Sequence, residues 1–120
     1  MMFRADAAPP PPGPPTSGMD RHQLVEREGT WIGWVRTDAG FAGGWHHHAD
    51  RESWIYQING EMTIEFGPGG AESLTARPGD VIVVPPRAIH REITPRESAE
   101  ALVVRIGTGP QNVNVDGPEG

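Results

Sequence analysis

The residues best suited to chemistry are the histidines: four of the chain's five stand in two places, the triplet His46-His47-His48 and the single His90. Along an extended strand successive side chains alternate between faces, so His46 and His48 share one side and His47 faces the other. Two neutral imidazoles at that spacing can hold a divalent transition metal at about 2.0–2.1 Å, provided that further donors come from elsewhere in the chain. His90 is the candidate, because it follows the apolar run Val81-Ile82-Val83-Val84 and the turn residues Pro85-Pro86. Cysteine is absent, which excludes thiolate ligands, disulfides and a thiol nucleophile, and any metal must rest on nitrogen and oxygen. Set against this is the plainer use of the same residues: a solvated loop also carries adjacent histidines, and short motifs alone match often by chance.

The elements that must position these side chains are short. From Gly29 onward, apolar or alternating segments recur between glycine, proline and acidic breakers, which is the pattern of an antiparallel all-β domain. The expected strands are Trp31–Thr37, Gly44–His48, Ser53–Ile58, Met62–Phe66, Glu72–Thr75, Val81–Val84, Ala88–Ile93 and Ala101–Ile106. Asn59-Gly60 predicts a tight hairpin between two of them, because both residues tolerate positive φ. Gly67-Pro68-Gly69-Gly70 and Arg77-Pro78-Gly79-Asp80 mark two further turns. The polar run after Gly107 is expected to lie along the outside or to fray.

A chain of 120 residues is the size of one domain. Residues 1–18 hold six prolines and two glycines and little that could be buried, so they are expected to form a flexible tail, with the barrel over residues 19–120. The tail lacks the apolar core of a secretory signal, and both Met1 and Met19 remain open as the start. The net charge of −6, the sequence pI near 5.2 and the absence of lysine argue against nucleic acid as a partner. No apolar run is long enough to span a bilayer as a helix. A cytoplasmic protein is the expectation.

Two spaced motifs resemble those of the cupin superfamily. The first runs from Gly40 through His46-His47-His48 to Gly60, and the second from Gly79 through Pro85 and His90 to Thr94. The resemblance implies a single-domain jelly-roll β-barrel with one divalent transition-metal ion (Fe, Mn, Ni, Cu, Co or Zn) on His46, His48 and His90, sometimes joined by a carboxylate. It also implies a homodimer. Counted back from Gly60, the family's glutamate falls on Ser53, and Glu52 stands one residue earlier. One step along a strand reverses a side chain, so Glu52 would join the metal only through a bulge near Arg51; three histidines and water are the favoured alternative. Arg87 and Thr94 replace a glycine and an asparagine of the second motif, and Gln57 stands where a pocket-facing apolar residue is usual.

An open metal site favours an enzyme, and the first expectation is a metal-dependent oxidoreductase of dioxygenase type acting on a small organic molecule. The alternatives are a module that binds or senses a small ligand without catalysis, and a non-redox isomerase or lyase acting on a sugar-like acid. Trp31, Trp34, Trp45, Trp54 and Phe41 are candidates to line an apolar pocket, although packing is their commoner use. Among the charged candidates Arg36, Arg87, Arg105 and Glu92, solvated surface positions are the usual outcome. Arg105, set among Leu102, Val103, Val104 and Ile106, is the one that could anchor a substrate carboxylate.

Overall fold

The computed structural model describes residues 2–4, 18–94 and 96–119. Most of the proposed tail, residues 1 and 5–17, lies outside them. Ten strands form two five-stranded antiparallel sheets, and the 3₁₀ turn Pro68–Gly70 is the only helical element among the described residues. The first sheet runs β1(Met19–Arg27), β2(Thr30–Thr37), β9(Ala99–Ile106), β4(Glu52–Asn59), β7(Val81–Val84). The second runs β10(Val113–Asn114), β3(His46–His47), β8(His90–Ile93), β5(Met62–Phe66), β6(Glu72–Ala76). No helix among the described residues is long and apolar enough to cross a membrane.

The sheets face each other because each strand alternates. In β4 the residues Ser53, Ile55 and Gln57 are buried while Trp54 and Tyr56 are exposed, and in β9 Ala99, Ala101 and Val103 point inward. Trp31, Val35, Ile55, Ile64, Ile82 and Val103 belong to the common core, which is the main stabilising term for such a domain.

Two expectations about connections change. Asn59-Gly60 does not close a hairpin: β4 pairs with β7 and β9, while β5 pairs with β6 and β8 in the other sheet. Only Gly60 takes positive φ (68°), so the chain turns a corner between the sheets, and a Cβ there would sit 2.4 Å from the Ser98 carbonyl oxygen. The true tight hairpin joins β1 to β2 through Glu28 (φ 49°) and Gly29 (φ 78°). β1 itself, rich in charged residues, was not among the expected strands. The segment after Gly107 does not simply fray, because β10 pairs with β3, Val115 N–H donates to the Trp45 carbonyl, and Gly69 N–H donates to that of Glu119.

Candidate metal centre

Strands β3 and β8 lie side by side with His46 opposite His90, so this pairing brings the histidines of the two motifs together. His48, just beyond β3, returns to the same side as His46, with ring centroids 5.0 Å apart; His90 lies 4.4 Å from His46 and 5.1 Å from His48. His47 takes the opposite face, where its Nδ1 accepts from the Ala49 N–H. Strand alternation thus delivers the three imidazoles expected from the sequence to one point.

Their orientation is fixed by the backbone. His46 Nδ1 lies 2.8 Å from the Gly44 carbonyl, His48 Nδ1 2.7 Å from that of Gln111, and His90 Nδ1 2.8 Å from that of Ala88. A carbonyl can only accept, so each Nδ1 donates and each neutral ring keeps its lone pair on Nε2. A buried imidazole presented in this way, with its outer N–H held by a carbonyl, is what a metal-binding histidine requires. His90 Nε2 is buried and makes no well-aligned hydrogen bond, although a Glu92 carboxylate oxygen lies 3.3 Å away.

The carboxylate that joins the three imidazoles in the cluster is Glu92, and Glu52 is not among them. Ser53 is fully buried and faces the cavity, so Glu52, its neighbour, is turned to the other face of β4 and is absent from the cluster. Glu92 stands two residues beyond His90 on β8 and therefore shares its face. Its carboxylate oxygens lie 3.3 Å from His90 Nε2 and 3.5 Å from His46 Nε2. One donor atom from each of His46, His48, His90 and Glu92 falls within 4.8 Å of the others, and such a set could hold a metal ion. The signal that could have revealed Glu92 is His90-x-Glu92, the same two-residue period that singled out His46 and His48.

Burial opposes charge in this cluster, and each group resolves the conflict differently. Burial and then the nearby Arg105 depress the pKa of His48 to about 3, so the ring is neutral and ready to donate. Burial also works against the His46 cation, but the Glu92 carboxylate outweighs it and raises the pKa of that ring. For Glu92 burial favours the neutral acid, yet His46 and His90 hold the carboxyl well below its usual range.

A cavity of about 50 Å³ opens beside the cluster, lined by His46, His48 and Glu92 on one side and by Arg21, Ser53, Gln57 and Arg105 among apolar residues on the other. Gln57 faces inward, its amide donating to the carbonyls of Asn59 and Gly60. The five aromatic candidates do not line this cavity. Trp31 is core, Trp34 donates to Glu100, Trp45 lies under the Arg91 guanidinium, Trp54 is exposed, and Phe41 packs against the core. Arg87, at φ 61° where a glycine was expected, forms a surface ion pair with Asp50 at 2.8 Å, and Arg36 pairs with Asp38. Thr94 ties down the loop before β3, accepting from the Phe41 N–H and donating to the Asp38 carbonyl.

Residues 33–105 match the family model of the cupin domain. No curated relative matches the chain. Among solved structures, the polyketide cyclase RemF from Streptomyces resistomycificus aligns with a TM-score of 0.75 at 20% identity, over 96% of this chain and 86% of that one. KdgF from Halomonas sp. aligns with a TM-score of 0.68 at 19% identity, over 78% and 84%. An oxalate oxidase in complex with glycolate aligns with a TM-score of 0.69 at 19% identity, over 82% of this chain and 55% of that one. At these identities the likeness is one of fold.

Proposed function

The chain belongs to the cupin domain family, and we propose that it is a metal-dependent enzyme whose His46, His48, His90 and Glu92 hold one divalent transition-metal ion beside a small organic substrate. The observation that carries this reading is the convergence of three backbone-oriented Nε2 atoms and one carboxylate beside a largely apolar cavity. When bound, a redox-active ion would supply Lewis acidity and open coordination positions suited to substrate and dioxygen. The chain's own contribution is orientation and exclusion of water: the carbonyls of Gly44, Ala88 and Gln111 aim the imidazoles, and Ile55, Met62, Ala101 and Val103 wall off solvent. For the reaction class we favour an oxidoreductase of dioxygenase type, a reading supported by the fold shared with an oxalate oxidase. A non-redox reaction is the second reading, supported by the long alignment with a polyketide cyclase.

A homodimer belongs to the same proposal. The outer face of the first sheet exposes Trp54, Tyr56, Val81, Val83 and Ile106, an apolar surface that a second copy would cover. The deciding experiment is elemental analysis of untagged protein, followed by an oxygen-electrode screen of small organic acids with iron-, copper- and zinc-loaded samples. Oxygen uptake with iron or copper and none with zinc is expected. Turnover with zinc and no oxygen uptake would replace the dioxygenase reading with the non-redox one.

A further inference from the structure

We infer that the wall of the cavity opposite the histidines is an anion subsite, in which Arg105 and Ser53 hold a carboxylate group of the substrate. The inference rests on the metal-enzyme reading above and specifies its substrate class as a small organic acid.

The subsite is built by strand pairing. Ser53 of β4 is the cross-strand partner of Arg105 of β9, so the two side chains stand together on the inner face of the first sheet, and both line the cavity shared with His46, His48 and Glu92. Each carries a buried polar atom without a hydrogen-bond partner: Ser53 Oγ and Arg105 Nε. Buried polar atoms are nearly always paired, and two orphans on adjacent residues facing one cavity mark the place of something that pairs them. One is an N–H donor on a cation and the other a rotatable O–H donor. A group with two adjacent acceptor oxygens and a negative charge satisfies both, and a carboxylate has that form.

The guanidinium is held in place independently of any ligand. Its Nη1 donates to Gln111 Oε1 at 3.2 Å, and its plane lies over the Trp31 ring with Cζ 4.9 Å from the centroid. Gln111 also accepts the His48 Nδ1 proton on its backbone carbonyl, so one residue fixes both the anion subsite and a metal donor. The charges agree with this assignment. Arg21 lines the same cavity and repels Arg105, and the Glu92 carboxylate, which attracts Arg105, also lies against His46 and His90. Glu100, the other acidic residue of the cavity wall, lies five positions from Arg105 along β9, roughly 16 Å at strand spacing, and accepts from the Trp34 indole. A divalent cation would add positive charge beside Arg105, and buried charge requires a partner of opposite sign. The cavity of about 50 Å³ has room for roughly four water-sized groups, which suits an acid of a few carbons.

The test compares lactate with its neutral amide, lactamide, by calorimetric titration of metal-loaded protein, with metal content measured for every sample. Arg105→Gln is expected to weaken lactate at least tenfold while lactamide affinity and metal content stay within twofold. Ser53→Ala, which leaves the charge and the packing in place, is expected to weaken lactate three- to tenfold and lactamide less. Equal losses for the two ligands in both variants, unchanged lactate binding, or failure of the unaltered protein to bind lactate would overturn the subsite. The two readings fail separately. Protein that holds no metal yet binds lactate through Arg105 and Ser53 would overturn the metal centre alone. Protein that holds metal and binds lactate without regard to either residue would overturn the subsite alone.

Discussion

The two sheets enclose one cavity but furnish it with opposite chemistry. The second sheet brings electron-pair donors: β3 and the residue after it supply His46 and His48, and β8 supplies His90 and Glu92. The first sheet brings cations and proton donors, with Arg21 on β1, Arg105 on β9 and Ser53 on β4. The wall suited to a metal cation thus faces the wall suited to an anion, and a small acid would meet both. The difference also separates two ways of holding a polar group in a β-barrel. The histidines are aimed by backbone carbonyls, those of Gly44 and Ala88 nearby in sequence and that of Gln111 from the C-terminal segment, whereas Arg105 is held by side-chain contacts from Trp31 and Gln111.

The largest effect should come from the second sheet. His90→Ala removes the one imidazole contributed by β8 and is expected to lower metal affinity by more than about 100-fold, beyond the range found for residues that only orient a ligand. His47→Ala, on the opposite face, should leave affinity within about twofold, as expected for a side chain that supplies neither a donor nor a support. Metal titration of the two variants separates them, and equal losses would show that the triplet is not in alternating register.

Next in size is the carboxylate. Glu92→Gln is expected to cost tenfold or more in metal affinity and Glu52→Gln almost nothing, measured by competition with a chelator. The reverse order would restore the bulge near Arg51 and place Glu52 in the site.

What the sequence revealed and what it hid follow from range. The His46–His48 pair and the inward Gln57 were legible because strand alternation is local, and His90 because its apolar run and turn mark a strand entry. Glu92 was a charged candidate but was not assigned to the metal although the same local rule applies, because a charged residue between Arg91 and Ile93 looks like ordinary solvated surface. β1, the sheet-to-sheet corner at Gly60 and the docking of β10 were not legible, since each depends on which distant strand offers a free edge. The support of His48 by Gln111 spans 63 residues, and no local pattern announces it.

That long-range support sharpens the comparison, because the C-terminal segment serves both walls at once. Truncation after Gly107 removes the Gln111 carbonyl from His48 and the Gln111 amide from Arg105. A loss of about 10-fold in metal affinity is expected, as for other residues that orient a metal ligand. Unchanged affinity in a folded truncation would mean that His48 is aimed by packing alone.

The smallest effect is read from pH. In metal-free protein the folded-state pKa of His48 is depressed to about 3, so between its ordinary value and 3 the unfolded chain binds a proton that the folded chain does not. Stability therefore falls as pH drops through that window. Glu92, also depressed, adds a loss below the ordinary carboxyl range. His46 is raised and has the opposite sign: its contribution is complete below its unfolded pKa and is lost as pH rises through the folded one. Denaturant unfolding of His48→Gln should show a flatter acid limb than the unaltered protein, and an identical limb would remove His48 from the acid response.

The central claim is that one metal ion sits on His46, His48, His90 and Glu92. The most direct measurement is cobalt titration followed by X-ray absorption on the loaded protein, with His90→Ala and Glu92→Gln as references. One ion per chain is expected, with three imidazole nitrogens and at least one carboxylate oxygen, losing one imidazole in the first variant and the carboxylate in the second. An ion count well below one, or a ligand shell that neither substitution changes, would contradict it.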